Sequence, residues 1–283
     1  MRFLCSRMSL FITSLNSGSN GNCYYVGNNN EAVLIDAGIS CRETEKRMKL
    51  LGLSMKTVRA VFISHEHGDH IKGLTTLANK YDLPVYITTP TAKAGTRLIG
   101  HLSKTFIANE PILVGELLVT AFTKQHDAID PHSFIINYKG TTVGVFTDIG
   151  KACKQVEHYF KQCHAAFLEA NYDETMLETG RYPIQLKNRI RGGHGHLSNN
   201  QALELFTKHR PPFMTHLLLS HLSKENNEPR LVEEMFTKHA GGVSVIIASR
   251  YQATELYTVA ATPGKEVVAT SVRIKPVQLG LFQ

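Results

Sequence analysis

The chain has no apolar run that approaches the roughly 20 residues of a membrane-spanning helix. Its beginning also lacks the apolar segment of about 7–15 residues that a secretory signal peptide requires. These absences predict a protein without a membrane partner and argue against secretion. Low-complexity linkers and repeats of fixed period are missing too. We therefore predict one domain over residues 1–262, followed by a tail over residues 263–283.

Cysteine is scarce and scattered, with five copies in 283 residues and no CxxC pair. An odd number without such pairs argues against a disulfide framework and against a zinc site built from thiolates. We therefore expect reduced cysteines and a cytoplasmic location.

The composition is otherwise that of a folded globular protein, with 42% hydrophobic and 19% charged residues. The 31 basic residues exceed the 24 acidic ones, which gives a formal net charge of +7. This modest excess agrees with an acidic partner such as nucleic acid. Histidine occurs 14 times, and several copies follow strand-like runs. That distribution indicates a metal site.

Strand-like and helical segments occur in both halves of the chain, and the second half alternates between them. This pattern predicts an α/β (α+β) fold with a sheet-on-sheet core and helices outside. The predicted strands cover residues 9–14, 23–27, 32–36, 60–64, 84–88, 115–122, 133–139, 141–148, 165–170, 215–220 and 243–248. The predicted helices cover residues 41–51, 73–81, 153–163, 199–209 and 228–239.

The strongest chemical signal is an HxHxDH pattern directly after the predicted strand 60–64. Imidazole nitrogens and carboxylates are the usual ligands of zinc and similar divalent ions. His65 and His67 alternate in extended backbone and so point the same way, whereas Asp69 and His70 follow the flexible Gly68 and can turn to a neighbouring ion. The alternative, a solvated polar loop before a helix, does not account for four ligand types at this spacing.

The HxHxDH pattern resembles the signature of the metallo-β-lactamase superfamily, and the later motifs follow in the order expected of that family. The resemblance implies an αββα sandwich whose ligands come from loops at one edge. It implies that Asp36, at the end of the predicted strand 32–36, orients a ligand histidine rather than binding metal. It also implies three more ligands, namely His126, Asp148 and His221.

By the same resemblance the site holds two divalent ions, and either zinc or manganese fits its oxygen and nitrogen donors. The implied ligand sets are His65, His67 and His126 for one ion, Asp69, His70 and His221 for the other, and Asp148 as the bridge between them. Asp69 is thereby placed among the catalytic residues. Two adjacent cations of this kind activate water for hydrolysis.

The nuclease branch of the superfamily fits best. The commonest β-lactamases carry an arginine at the position of His70 and a cysteine in the second site, and neither occurs here. Leu168-Glu-Ala-Asn-Tyr172 and Gly195-His-Leu-Ser198 are similar to motifs of RNase Z-like nucleases. The resemblance implies that His196 protonates the leaving oxygen of a phosphodiester and that Glu169 holds this histidine. The alternative is that His196 only lies at the start of the predicted helix 199–209, for which Ser198 is a good N-cap.

Within that branch, Ser14-Leu-Asn-Ser-Gly-Ser-Asn-Gly-Asn-Cys23, His194-Gly-His-Leu-Ser-Asn199 and Ser220-His-Leu-Ser-Lys-Glu-Asn-Asn227 resemble signatures of the YycJ/WalJ subfamily. The 73 residues between Asp148 and His221 leave no space for the domain that β-CASP nucleases insert, and no Gly/Pro-rich tRNA-binding arm is present. The resemblance implies a 5′→3′ DNA exonuclease linked to mismatch repair. A small phosphodiester or ester hydrolase, an RNA-processing nuclease and a non-enzymatic metal-binding regulator stay open as alternatives.

Two segments are candidates for binding a nucleic-acid strand. The turn at Ser17, Ser19 and Asn20 can present backbone N–H groups to a phosphate, although it is equally a plain hairpin turn. Four cations between Asp148 and His196 can form a rim that contacts phosphates, although a charge run is often only a solvated face. These cations are Arg181, Lys187, Arg189 and Arg191.

The end of the chain resembles the QLxLF peptide by which bacterial replication and repair proteins bind the sliding clamp. Its anchor residues are Gln278, Leu279, Leu281 and Phe282, with Gly280 at the variable position. Apolar residues of a terminal peptide that fill a partner's pocket are a common mode of recognition. The alternative is a tail that packs on its own domain.

Overall fold

Two seven-stranded mixed sheets face each other in the computed structural model, which describes residues 9–95 and 100–260. The first sheet contains, in spatial order, β14 (Tyr257–Ala260), β1 (Ser9–Asn16), β2 (Cys23–Gly27), β3 (Ala32–Ile35), β4 (Val58–Phe62), β5 (Val85–Tyr86) and β6 (Ser103–Lys104). The second contains β13 (Ser244–Ile247), β12 (His216–Ser220), β11 (Ala165–Glu169), β10 (Thr141–Phe146), β9 (His132–Tyr138), β8 (Leu117–Thr123) and β7 (Pro111–Val114).

The two sheets have the same arrangement of antiparallel and parallel strands. In the first sheet β14, β1, β2 and β3 pair antiparallel, and β3 to β6 continue in parallel. In the second sheet β7 to β10 pair antiparallel, and β10 to β13 continue in parallel. The carboxyl ends of the parallel strands therefore meet at one edge of each sheet, where α/β proteins commonly bind ligands.

The described α-helices are α1 (Cys41–Leu50), α2 (Gly68–Ile71), α3 (Leu74–Tyr81), α4 (Thr89–Gly95), α5 (Lys154–Phe160), α6 (Glu174–Thr179), α7 (Ile184–Arg191), α8 (Asn199–His209) and α9 (Pro229–Thr237). Of these, α1 and α3 cover the outer face of the first sheet, and α5, α8 and α9 cover that of the second. None of the described helices is long and apolar enough to cross a membrane.

Three apolar layers hold the sandwich together. The middle layer joins the inner faces of both sheets, where the Tyr24 and Phe167 rings lie 4.9 Å apart. One outer layer joins the first sheet to α1 and α3, for example through Met48 and Leu77. The other joins the second sheet to α5, α8 and α9. Strands covered on both faces become apolar along their whole length, as in the fully buried β2, β3 and β11. The predicted αββα architecture is confirmed.

Most predicted elements are present with ends that differ by a few residues. The predicted helix 199–209 is α8, and Ser198 and Gln201 close a capping box at its beginning. The segment 174–191, which carried no predicted element, forms α6 and α7. These helices are short, and Ile184 and other side chains of α7 are exposed, so the apolar periodicity is weak. The predicted tail, residues 263–283, lies outside the described residues.

Three residues at the ligand-binding edge adopt left-handed backbone conformations. Asp36, Asp148 and His221 have φ angles of 62°, 52° and 56° and follow β3, β10 and β12, respectively. Such angles are uncommon outside glycine and cluster at functional sites. The turns direct three side chains from separate strands toward one place.

Candidate metal centre

One cluster of three histidines lies where β4 and β8 end. His65 and His67 come from the loop after β4, and His126 follows β8. Their candidate ligand atoms lie within 4.8 Å of one another, and His126 Nε2 is 3.4 Å from His67 Nδ1. His126 Nδ1 donates to the carbonyl of Gly195 at 3.0 Å, which directs its other nitrogen into the cluster.

A second cluster lies beside the first and contains Asp69, His70 and His221. Its candidate ligand atoms also lie within 4.8 Å of one another. Asp69 Oδ2 is 3.5 Å from the Nε2 atoms of both His70 and His221. Asp69 and His70 belong to the short helix α2, so one turn of helix supplies two of the three donors.

Asp148 lies between the two clusters. Its Oδ2 is 3.1 Å from His70 Nε2, and its Oδ1 is 3.9 Å from His126 Nε2 and 3.5 Å from His221 Nε2. The carboxylate is 2% exposed. The residue that the sequence analysis places as a bridge therefore contacts members of both clusters.

One buried atom of this site tests whether a cation fits. His65 Nε2 has no hydrogen-bond partner among the residues that the structure describes. Leaving a buried polar atom unpaired costs about 1–3 kcal/mol. The atom lies among imidazole nitrogens and a carboxylate, which are ligands of divalent transition metals. The residues present therefore fit such ions.

The charges of the site favour bound cations. Burial alone would lower the pKa of His70 and His221, but the nearby carboxylates, Asp148 foremost, raise the pKa of His70 well above its usual range and that of His221 to about 10. Burial alone would raise the pKa of Asp148, yet His221 and His70 hold it well below its usual range. Burial lowers the pKa of His65, which favours its neutral, metal-binding form.

Asp36 and Ser64 contact the Nδ1 atoms of His70 and His65, respectively. Asp36 Oδ2 lies 2.7 Å from His70 Nδ1, and its Oδ1 accepts the Ser64 N–H at 2.8 Å. The Ser64 hydroxyl donates to Asp36 Oδ2 at 2.8 Å and lies 2.8 Å from His65 Nδ1. A carboxylate on Nδ1 leaves Nε2 of His70 free for a metal. Asp36 thus contacts His70 but is not itself a member of either cluster.

Glu169 and His196 form a close pair on the other side of Asp148. His196 Nδ1 lies 2.7 Å from Glu169 Oε1, and the same oxygen is 3.1 Å from His221 Nδ1. The backbone N–H groups of Ile149 and Leu197 donate to Glu169 Oε2. Burial would raise the pKa of Glu169, but His196 and His221 outweigh burial and hold it at about 2, so the carboxylate stays ionised.

Comparison with known families agrees with this geometry. A family model described as a beta-lactamase superfamily domain matches residues 31–221, which include both clusters. The chain belongs to the metallo-β-lactamase superfamily. As a member of that superfamily it is a hydrolase, as the sequence predicts, and the fold implies divalent metal ions at this edge.

Individual relatives indicate the subfamily within this superfamily. The chain is 36% identical to exodeoxyribonuclease YycJ of Bacillus anthracis over 228 residues, which cover 79% of this chain and 86% of the relative. It is 27% identical to exodeoxyribonuclease WalJ of Streptococcus pneumoniae over 259 residues, which cover 89% and 96%. The metallo-β-lactamase fold protein YhfI of Bacillus subtilis superposes with a TM-score of 0.67 at 17% identity and covers 87% of this chain and 99% of that one. The predicted resemblance to the YycJ/WalJ subfamily is confirmed.

The three residues of the turn that was predicted to bind phosphate lie in different environments. Ser17 is buried, and its hydroxyl accepts the backbone N–H of His221 at 2.7 Å. Ser19 and Asn20 are exposed but contact Arg250, which donates to the Ser19 hydroxyl at 3.0 Å and accepts from the Asn20 amide through its carbonyl at 2.8 Å. Of the three residues, Ser19 alone belongs to the cleft over the metal ligands.

The four cations that were predicted to form a rim also lie in different environments. Lys187 is buried, and its ammonium donates to the carbonyl of Glu178, so it ties α7 to α6 instead of lying on the rim. Arg191 pairs with Glu178 at 2.8 Å on the surface. Arg181 is exposed. Arg189 pairs with Asp127, and both residues line the cleft.

Three polar residues at the site were not singled out by the sequence analysis. Asn22 donates to Asp69 Oδ2 at 3.1 Å, and Asn171 donates to the His221 carbonyl at 2.8 Å. Buried Lys124 donates to the carbonyl of Thr147, directly before Asp148, at 2.6 Å. Asn171 lies within the motif Leu168-Glu-Ala-Asn-Tyr172, and Asn22 directly precedes the predicted strand 23–27, so their place was visible although their contacts were not. Lys124 carries no signal beyond its position two residues before His126.

A cleft of about 240 Å³ opens over the two clusters. Metal-ligand candidates form its floor, and Tyr182, Leu186 and Ile190 from α7 and the turn before it form one wall. His196 is 21% exposed and lines the same cleft. Asp69, Asp148 and His196 therefore line one cleft together.

Proposed function

We propose that this protein is a dinuclear metal-dependent phosphodiesterase, namely an exonuclease that degrades DNA from 5′ ends in DNA repair. The observation that carries the proposal is the Glu169–His196 pair, which faces the cleft beside Asp148 and the two ligand clusters. The names of the YycJ and WalJ relatives support a DNA substrate. The net charge of +7 agrees with a polyanionic substrate.

The two clusters divide the proposed ligands. His65, His67 and His126 would hold one ion, and Asp69, His70 and His221 would hold the other, with Asp148 between the two clusters. Zinc or manganese fits this donor set. When bound, two such ions lower the pKa of water and neutralise charge on a scissile phosphate.

His196 supplies the proton that the leaving oxygen needs. Its Nδ1 is held by Glu169 at 2.7 Å, which leaves Nε2 for contact with a substrate in the cleft. The ionised Glu169 fixes the orientation of the ring, because its other oxygen is held by two backbone N–H groups. An alkoxide leaving group that takes this proton departs as a neutral hydroxyl.

The test is cleavage of end-labelled single-stranded DNA and RNA with Mn²⁺ or Zn²⁺, with Asp148→Ala as the inactive control. We expect stepwise release of nucleotides from 5′ ends of DNA, and we expect Asp148→Ala to abolish it. Cleavage of RNA instead would support the RNA-processing alternative. Cleavage of neither polymer under either metal would contradict the nuclease proposal and favour a small phosphodiester or ester as substrate.

We also propose a cytoplasmic location and a sliding-clamp interaction through Gln278, Leu279, Leu281 and Phe282, which lie outside the described residues. The support is the QLxLF-like sequence and its agreement with a repair nuclease. The triple variant Gln278→Ala/Leu281→Ala/Phe282→Ala should cleave DNA normally and lose clamp binding in a pull-down with purified clamp. Unchanged clamp binding would contradict the interaction.

A further inference from the structure

A second pocket of about 300 Å³ adjoins the cleft over the metal ligands. The two share Leu222 and Ser223, which directly follow the metal-ligand candidate His221. The second pocket is thus continuous with the first along the loop after β12. It is lined by residues that the proposed chemistry does not use.

The two pockets differ in chemistry. The floor of the cleft over the ligands is formed by carboxylates and imidazoles, whereas Leu222, Pro229, Ile247 and Ala248 give the second pocket an apolar lining. An apolar lining without carboxylates suits a flat, weakly polar group and not another metal ion. In a DNA strand that group is the base.

Tyr251 lines the second pocket with a ring that is 72% exposed. Its backbone is fixed on both sides, since its carbonyl accepts from Arg47 Nη2 at 3.0 Å and its N–H donates to the Ser249 hydroxyl at 3.0 Å. An exposed aromatic side chain on a fixed backbone beside an apolar pocket is the usual stacking platform for the bases of single strands.

Cations lie where the backbone of such a strand would pass. Arg250 lines the second pocket, and its Nη2 donates at 3.0 Å to Ser19, which lines the first. Its Nη1 is buried and has no hydrogen-bond partner in the ranges 9–95 and 100–260, so the protein satisfies the guanidinium only in part. Lys224, also at the second pocket, is 65% exposed. A phosphate that joins nucleotides in the two pockets would therefore pass these positive charges.

We propose that the second pocket binds the base of the nucleotide next to the scissile phosphodiester, stacked on Tyr251, while Arg250 faces the linking phosphate. This inference rests on the proposed nuclease function. The other occupant to consider is the chain's own tail. The last described strand, β14, runs from Tyr257 opposite Ile12 to Ala260 opposite Ser9, away from the end of β1 that leads to Ser17 and this pocket. The apolar lining, the exposed ring of Tyr251 and the cations of Arg250 and Lys224 favour a DNA base as the occupant.

The test compares two substrates on the full-length, metal-loaded protein. One is a short single-stranded DNA oligonucleotide, and the other is bis(p-nitrophenyl) phosphate, a diester without a base. Tyr251→Ala should raise KM for the oligonucleotide roughly tenfold, as loss of one stacked base does. Turnover of the small diester should not change, and Tyr251→Phe should behave as the wild type. The matched control is Leu113→Ala, another exposed apolar residue, on β7.

A modified strand identifies the group in the pocket. An oligonucleotide that lacks the base next to the cleaved phosphate should lose the same factor with the wild-type protein, and Tyr251→Ala should be insensitive to the missing base. Such non-additivity is expected only if ring and base contact each other.

The possible outcomes distinguish failure of the base-pocket proposal from failure of the nuclease proposal. If the wild type cleaves DNA and Tyr251→Ala equals it, the base pocket is refuted and the nuclease function stands. Equal losses on both substrates would mean that Tyr251 supports the metal centre, which also refutes the pocket. If the wild type turns over the small diester but no DNA, the nuclease function is wrong and the pocket assignment falls with it.

Discussion

Glu169 Oε1 lies 2.7 Å from His196 Nδ1, and this contact connects the proposed proton donor to the metal ligands. The same oxygen is 3.1 Å from Nδ1 of His221. One buried carboxylate oxygen therefore orients both the residue proposed to protonate the leaving group and a residue proposed to bind an ion. Removing the carboxylate should affect two functions, whereas removing His196 should affect one.

We expect His196→Ala to lower the turnover of DNA by about 10²–10⁴-fold, which is the usual contribution of a positioned general acid. Its metal content should stay that of the wild type, because His196 is not assigned to either ion. Glu169→Gln should lower both turnover and metal content, since it also disturbs His221. The measurements are steady-state kinetics and metal analysis after dialysis.

His158→Ala is a suitable control for these variants, because His158 is exposed on α5. It should match the wild type in both measurements. Full turnover by His196→Ala would show that the leaving oxygen obtains its proton elsewhere. Loss of bound metal in the same variant would mean that His196 is a ligand.

We expect Asp36→Asn to weaken metal binding by about 10–100-fold, the usual effect of losing a partner that orients a ligand. Asparagine keeps the shape and tolerates the left-handed backbone at this position. Its amide nitrogen, however, replaces one carboxylate oxygen that contacts Ser64 and His70. The measurement is a competitive titration against a chelating dye.

Asp82→Asn is the matched control for Asp36→Asn. Asp82 has a similar φ of 52° but an exposed side chain. It should leave metal affinity unchanged. An equal loss in both variants would assign the effect to the backbone turn, and no loss in Asp36→Asn would contradict the role of Asp36.

Sequence patterns locate the site where its residues are contiguous or follow strands of strong β character. His65 to His70 form such a motif, and Asp148 and His221 each come directly after a buried strand. The structure brings all seven predicted ligands together. Their grouping around two ions came from the resemblance, because spacing along the chain does not determine which loops meet.

Other contacts could not be predicted from the sequence, and the reasons are physical. Ser17 and Lys187 belong to segments whose composition suggested contact with phosphate, yet both are buried and bonded to neighbouring parts of the fold. Such contacts depend on residues far away in the sequence or on an unpredicted helix. Lys124 is a single buried cation with no surrounding pattern, so tertiary packing alone defines its position.

We expect the affinity for metal to rise with pH. The carboxylates around His70 and His221 raise their pKa values, that of His221 to about 10. Near neutral pH both histidines of the metal-free protein therefore carry protons that a cation must displace. Affinity should rise up to about tenfold per pH unit for each displaced proton. Dye competition from about pH 6 to about pH 8, corrected for protonation of the dye, measures this slope.

Proton release provides an independent check of this dependence. Calorimetric titration of the metal-free protein in buffers of different ionisation enthalpy should register protons released on binding. His221→Ala should release fewer protons and give a shallower slope. Affinity that does not change with pH would contradict the assigned protonation.

We expect Ser17→Ala to destabilise the protein, because the Ser17 hydroxyl begins a chain of buried hydrogen bonds at the second cluster. It accepts the N–H of His221 at 2.7 Å and lies 2.9 Å from the Tyr24 hydroxyl, which in turn donates to the Asn22 side chain at 3.1 Å. Leaving the His221 N–H unpaired should lower the free energy of unfolding by about 1–3 kcal/mol in urea denaturation. Ser19→Ala changes an exposed residue of the same turn and should stay within about 0.5 kcal/mol. If instead Ser17→Ala leaves stability unchanged and weakens binding of single-stranded DNA, the turn contacts phosphate through Ser17, and the structural role assigned to this hydroxyl is wrong.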